Sequence, residues 1–150
     1  MKLTIERTAL LKSLGHVQSV VERRNTIPIL SNVLVEAKGE RVALTATDMD
    51  LAIVDHAPAE IAAPGAATVP AHLLYDIVRK LPEGSQVSLE LAGDGGQVGI
   101  KAGRSRFALQ ALPPEDFPDL NAGELTNRFT LAAADLKGLV EKTRFAISTE

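Results

Sequence analysis

Lys2-Leu3-Thr4-Ile5, followed by Ala9-Leu10 and an apolar stripe from Leu14 to Val21, is the stretch that decides the fold, because the chain starts it twice. Arg128-Phe129-Thr130-Leu131 is followed in the same way by Asp135-Leu136 and a stripe from Val140 to Ile147. A shift of 126 positions carries Leu3 onto Phe129, Thr4 onto Thr130, Ile5 onto Leu131, Leu10 onto Leu136, Leu14 onto Val140 and Val21 onto Ile147. A basic residue, an alternating strand and an amphipathic helix thus recur in one register, and internal repetition outranks any local motif in fixing architecture. The expected organisation is a complete first domain over 1–120, a linker over 121–126, and the opening of a second, similar domain over 127–150, with the chain stopping at Glu150 inside or just after its first helix.

Composition agrees with a packed domain of common size. Hydrophobic residues make up 45% of the 150, enough for a core, and with four Phe, one Tyr and no Trp that core must be aliphatic. The absence of cysteine excludes disulfides, zinc–thiolate sites and thiol nucleophiles, and fits a reducing cytoplasm. Met1-Lys2 leads straight into alternating residues, which is not a signal peptide. No stretch approaches the roughly 20 apolar residues of a membrane helix. The net charge of −3 means that any nucleic-acid role works despite an acidic balance.

Lys2 to Arg7 alternates as a strand, and Thr8 is placed to cap a helix running to about Glu22. Leu10, Leu14, Val17 and Val21 share one helical face, and Lys12, His16, Ser19 and Arg23 the opposite one, with no acid among them. After the breaker Asn25-Thr26-Ile27-Pro28 come a strand at Asn32–Ala37, a turn at Lys38–Arg41, a strand at Val42–Ala46 and a further strand from about Met49 to Ile61. The order then repeats. Ala67–Val69 is a short strand, and Pro70 opens a helix whose stripe is Leu73, Leu74, Ile77, Val78 and Leu81. Strands follow at Gln86–Leu91, Gln97–Lys101 and Arg104–Ala111, then a proline-rich exit from Leu112 to Leu120. The fold class is α+β: two strand-helix-three-strand halves in one domain, helices packed on curved antiparallel sheet.

No catalytic constellation emerges. Asp48, Asp50 and Asp55 suggest a carboxylate site, but Asp55 has the opposite parity, and Asp48 reads better as a turn residue accepting backbone hydrogen bonds. Gly93-Asp94-Gly95-Gly96 lacks the spacing of a phosphate loop and reads as a hairpin turn. His16, His56 and His72 lack metal-ligand spacing, and Ser105 has no nearby base. No cofactor is expected.

Six ordered segments resemble the bacterial DNA polymerase III beta subunit family, the sliding clamps: Thr26-Ile27-Pro28-Ile29-Leu30-Ser31-Asn32, Leu44-Thr45-Ala46-Thr47-Asp48, Thr68-Val69-Pro70-Ala71, Leu81-Pro82-Glu83-Gly84, Gly103-Arg104-Ser105-Arg106-Phe107 and Leu112-Pro113-Pro114-Glu115-Asp116-Phe117-Pro118. The resemblance spans the chain. It implies a DNA-clamp fold, three such domains per protomer, and a head-to-tail homodimer closing a ring around duplex DNA with helices lining the hole. It implies a non-catalytic processivity factor, acting on DNA without sequence preference and in the cytoplasm. DNA polymerase III alpha subunit and the clamp-loader complex would be met through later domains.

Arg24 matches a DNA-contacting arginine of the family. Arg23, Lys12 and Arg79 join it as candidates by their place on the polar helix faces. The resemblance also assigns an edge that joins the third domain of the partner protomer, formed by Arg104, Arg106, Phe107 and Leu109 with Leu73, Ile77 and Leu81 of the second helix. Alternation permits Phe107 or Leu109 to be a core residue instead. On this reading the 150-residue chain alone cannot close a ring. A second class stays open: a small α+β enzyme or ligand-binding domain with a site near Asp48 or Tyr75.

Overall fold

The computed structural model describes residues 1–22, 26–93, 95–118 and 127–148. Arg23, Arg24 and the expected linker 121–126 therefore lie outside the described residues, as do Asp94 of the glycine-rich turn, Asp119 and Leu120 of the exit segment, and Glu150. The chain divides into two compact units, Met1–Leu120 and Asn121–Glu150.

In the first unit, β1 (Lys2–Glu6) runs directly into α1 (Arg7–Val17), and a 3-10 turn follows at Gln18–Val20. A second 3-10 turn (Pro28–Ser31) leads into β2 (Asn32–Lys38), β3 (Arg41–Thr47), β4 (Ala52–Pro58) and β5 (Glu60–Ala63). The second half runs β6 (Gly65–Pro70), α2 (Ala71–Lys80), β7 (Gln86–Leu91), β8 (Gln97–Ala102) and β9 (Ser105–Gln110). Two antiparallel sheets result, ordered β4-β3-β2-β6 and β5-β1-β7-β8-β9. Each half contributes a three-strand meander, and each meander is extended by the first strand of the other half: β6 pairs with β2, and β1 with β7.

Alternation fills the core as the pleat dictates. Leu3 and Ile5, Val33 and Val35, Val42 and Leu44, Val87 and Leu89, and Val98 and Ile100 are all buried. Leu10, Leu14 and Val17 of α1 and Ala71, Leu74 and Val78 of α2 recur at helical spacing and join the same cluster. Burying each large aliphatic side chain contributes about 1.5–3 kcal/mol, which fixes these two short helices on the sheets. Thr68, fully buried, latches the exit segment: its hydroxyl donates to the Leu112 carbonyl (2.8 Å) and accepts from Leu112 N–H (3.1 Å) and Asn32 Nδ2 (3.0 Å).

Four expectations need correction. The α1 cap is Glu6, not Thr8: the Glu6 carboxylate accepts from Ala9 N–H at 3.0 Å, and backbone N–H groups of Thr8 and Ala9 hold its carboxyl below the ordinary value. The strand thus feeds the helix with no intervening residue. α1 ends at Val17 rather than near Glu22; Ser19 Oγ donates to the His16 carbonyl (2.7 Å), and the backbone tightens to a 3-10 turn. The strand expected from Met49 to Ile61 is two strands in different sheets. Pro58, which has no N–H to give, ends β4 on an edge, and Ala59 N–H bonds the Glu40 carbonyl (3.1 Å) as the chain turns the corner.

The fourth correction concerns the second unit. Its helix forms, as α3 (Ala133–Thr143), but Arg128–Leu131 is not a strand. A strand needs a hydrogen-bonded neighbour, and none exists among the described residues of this unit. Leu136, Leu139 and Val140 of its repeat stripe are exposed.

Leu14→Ala should destabilise the first unit by about 2–5 kcal/mol, since the side chain is fully buried where α1 meets the sheets. Urea denaturation of the wild type and variant measures the difference.

Candidate nucleic-acid interface and assembly edge

α1 and α2 pack together, so close at Gly15 that a Cβ there would sit 3.9 Å from Tyr75 Cε2. Lys12 of α1 and Arg79 of α2 are the described members of the candidate helix wall, and both are exposed. Lys12 is exposed and enters no ion pair among the described residues. Arg79 is less free. It pairs with Asp76 (3.1 Å), and its guanidinium lies 5.8 Å from the Tyr75 ring centroid, within cation–π range. Sequence periodicity brings these α2 groups together but does not reveal that Arg79 already has a counter-ion. Arg23 and Arg24 cannot be placed on this wall, lying outside the described residues.

The α1 face expected to be free of acid is met by one from another element. Asp55 of β4 accepts from His16 Nδ1 at 2.7 Å and from His56 N–H at 2.8 Å. The His16 hydrogen bond holds the Asp55 carboxyl below its ordinary value, against partial burial, which pushes it up; the His56 and Ser13 hydrogen bonds add to the lowering. His72 is likewise engaged, between Gln18 and the Val21 carbonyl. Arg7, which sequence reading passed over, donates from Nε to the Val78 carbonyl (3.2 Å) and from Nη2 to the Arg79 carbonyl (2.7 Å). A cation at the carbonyl end of a helix is favoured by its dipole, so Arg7 ties the start of α1 to the end of α2.

The proposed edge divides into surface and support. β9 pairs only with β8 and is the outer strand of its sheet. Phe107 is 40% exposed and Arg104 and Arg106 are exposed, Arg104 in the hairpin turn before the strand, where Gly103 takes φ +55°. Leu73 is 50% exposed and Ile77 half-buried. Leu81 and Leu109 are core residues, 6% and 4% exposed, so they underpin this surface rather than form it. A second open edge escaped the sequence reading. β4 pairs only with β3, in the position that matches β9 in the other half, and Leu51 and Val54 are more than half exposed on and beside it. The signal was available: a repeated half implies a repeated edge.

Asp48 does what turn chemistry asks of it. Its Oδ1 accepts from Asp50 N–H (3.0 Å) and Leu51 N–H (2.7 Å). Among the described residues no three potential metal ligands converge, and every buried side-chain polar atom has a partner. The glycine-rich turn is a hairpin connection, with Ala92 N–H bonded to the Gln97 carbonyl at 2.8 Å. Two open grooves of about 600 Å³ lie on strands and their connections, and neither is lined by Asp48 or Tyr75.

Residues 1–121 match the family model of the DNA polymerase III beta subunit, N-terminal domain. The beta sliding clamp of Caulobacter vibrioides (strain NA1000 / CB15N) is 59% identical over 150 residues, covering 100% of this chain and 40% of that protein. The beta sliding clamp of Escherichia coli (strain K12) is 40% identical over 149 residues, covering 99% and 40%. Among solved structures, a DNA polymerase sliding clamp from Caulobacter crescentus matches with a TM-score of 0.92 at 59% identity, over 100% of this chain and 40% of that one. The chain thus spans 40% of the length of these curated relatives. No described helix is long and apolar enough to cross a membrane.

Asp55→Asn should lower the melting temperature at neutral pH by an amount equivalent to about 1 kcal/mol, the usual net value of a hydrogen bond. A carboxyl lowered in the folded state stabilises above the ordinary aspartate value, and that contribution is lost as pH falls through the folded value. The gap between wild type and variant should therefore hold above about pH 4 and close below it. Thermal melts across pH test this; a gap independent of pH would overturn it.

Proposed function

The chain belongs to the DNA polymerase III beta subunit family through its N-terminal domain, and from that membership we propose that it is a clamp domain of a ring-shaped processivity factor. The ring encircles duplex DNA and tethers the replicative polymerase in the cytoplasm, and the subunit catalyses no reaction itself. In this reading 1–120 is the first clamp domain, 121–126 a linker, and 127–150 the opening of a second. The observation that carries the reading is that β4 and β9, outer strands in matching positions of the two sheets, both lie beside exposed apolar side chains. An unpaired edge beside exposed apolar side chains is a liability unless another segment covers it. Domains with one such edge on each side join head to tail, and heterologous contacts that close make a ring.

The β9 edge joins the third domain of the partner protomer. Phe107, Leu73 and Ile77 supply its apolar contact, Arg104 and Arg106 pair with acids, and Leu81 and Leu109 hold the surface from beneath. The helix wall faces DNA. Arg24, with Arg23 and Lys12, neutralises phosphates, and Arg79 contributes less because Asp76 already shares its charge. A clamp must hold DNA and still slide, so a few phosphate contacts, each adding salt-dependent affinity, serve it better than a tight interface. DNA polymerase III alpha subunit and the clamp loader dock through later domains.

Two measurements on the full-length protein test this. Phe107→Asp should shift the assembly from dimer toward monomer in light scattering at micromolar concentration, with the melting temperature of the first domain nearly unchanged because Phe107 is 40% exposed. An intact dimer at all concentrations would overturn the edge. Arg24→Ala should weaken binding to primed DNA and reduce the salt slope by about one unit, with Arg24→Glu weaker still and Lys12→Ala milder. Unchanged binding by Arg24→Glu across a salt series would overturn the DNA face.

A further inference from the structure

The pleat of the β4-β3-β2-β6 sheet sends Val35, Val42 and Ala67 into the core, so Glu36, Lys38, Arg41, Ala43, His56 and Ala66 stand on the face turned away from it. These six, with Pro64, line one of the open grooves of about 600 Å³. Cross-strand register orders them. His56, Ala43, Glu36 and Ala66 form one row over the four strands, and Lys38 and Arg41 stand opposite each other at the hairpin end. Ala43 and Ala66 give a short apolar floor, because their side chains end at Cβ. Like charges directly opposite on a sheet are destabilising. Neither Lys38 nor Arg41 forms an ion pair among the described residues. Glu36 is the single acid lining this groove, and Glu40, in the turn between the two cations, lines the other one. Elsewhere the same cross-strand position is complemented: Lys2 opposes Glu90 and pairs with it at 3.2 Å.

We propose that this groove is a docking site for an extended, acidic segment of a partner protein, with small apolar side chains lying on Ala43 and Ala66 and carboxylates meeting Lys38 and Arg41. Charge complementarity selects the occupant: two cations face one acid, and an incoming carboxylate relieves the repulsion between them. The openness of the groove selects a peptide over a small anion, since small-molecule sites enclose most of their ligand. Strand addition is not available here, because β2 and β3 are each hydrogen-bonded on both sides, so side chains alone carry recognition. An extended chain alternates its side chains between two faces, which matches an apolar floor beneath long cationic walls. Duplex DNA fits less well. Glu36 stands within the row, and the lining includes no aromatic ring on which an unpaired base could stack.

The test is a titration of the full-length protein, labelled at its alanine methyl groups, with a capped hexapeptide of alternating valine and glutamate. The Ala43 and Ala66 methyl signals should shift in a saturable way at low salt, and the shifts should shrink as salt screens the charges. Lys38→Glu combined with Arg41→Glu should weaken the affinity about tenfold, since two exposed attractions become repulsions. Both residues are exposed, so the melting temperature should hold. The same peptide with glutamine in place of glutamate should bind more weakly than the acidic one. Ala43→Leu, which fills the floor, should abolish the shift at Ala66 while leaving the cations in place; it decides the matter should the charge-reversed variant fail to fold. No shift at either methyl up to millimolar peptide overturns the proposal, as does equal binding by the acidic and glutamine peptides. Shifts that survive both the charge reversal and Ala43→Leu overturn it too. Duplex DNA moving these methyls at lower concentration than the peptide would replace the acidic segment with a nucleic acid and so overturn it as well.

Discussion

The exchange of first strands between the two halves carries the rest of the structure. β1 pairs with β7 from Lys2↔Glu90 to Glu6↔Gln86, and β6 with β2 from Asn32↔Pro70 to Ala37↔Gly65. Neither half completes its own sheet. Each helix follows directly from a strand that belongs to the neighbour's sheet, so α1 and α2 are delivered together onto one shared core. Helices of 11 and 10 residues are too short to persist alone in water, and their order depends on that burial. The contacts are also distant in sequence, as Leu3↔Leu89 shows, so loop closure precedes the reward of pairing and the domain must form as a unit.

Open edges follow from the same exchange. Because the first strands cover one side of each meander, the third strands, β4 and β9, face outward. The domain guards them. Pro58 ends β4, Arg106 lies on β9 and Arg104 in the turn before it, and charges and proline on an edge discourage indiscriminate pairing. Leu51, Val54 and Phe107 remain exposed all the same. An edge that repels strangers yet keeps apolar side chains suits a chosen partner better than plain solvent.

Periodicity made much of this legible. Strict alternation in β1, β7 and β8 and the stripes of both helices gave the elements and the buried residues, since a half-buried strand or helix must repeat its apolar face. The Lys38–Arg41 turn was readable from Gly39, which adopts positive φ. Interactions between elements were not legible. His16–Asp55, His72–Val21 and Arg7–Val78 are separated by 39, 51 and 71 positions, and no local pattern reports on such pairs. Glu6 displaced Thr8 as cap for a similar reason: where a strand feeds a helix without a loop, the last strand residue stands at the capping position. The corner at Pro58–Ala59 interrupts an apolar run whose alternation looks continuous, because a change of sheet leaves no mark on period two.

Under the proposed function, these long-range pairs bear on how an acidic domain would meet DNA. The charge of −3 is not spread evenly over function. Lys2 is paired with Glu90 and Arg79 with Asp76, while Arg7 is spent on the carbonyls of α2. Cations so engaged hold the fold and contribute weakly to a phosphate field. On the described parts of α1 and α2, Lys12 and Lys80 are left without a counter-ion. Counterion release scales with the number of phosphates neutralised, so a wall with few free cations gives low affinity and a shallow salt dependence. For a protein proposed to be retained by topology and to move along its substrate, that scarcity is a requirement, and the intramolecular pairs enforce it.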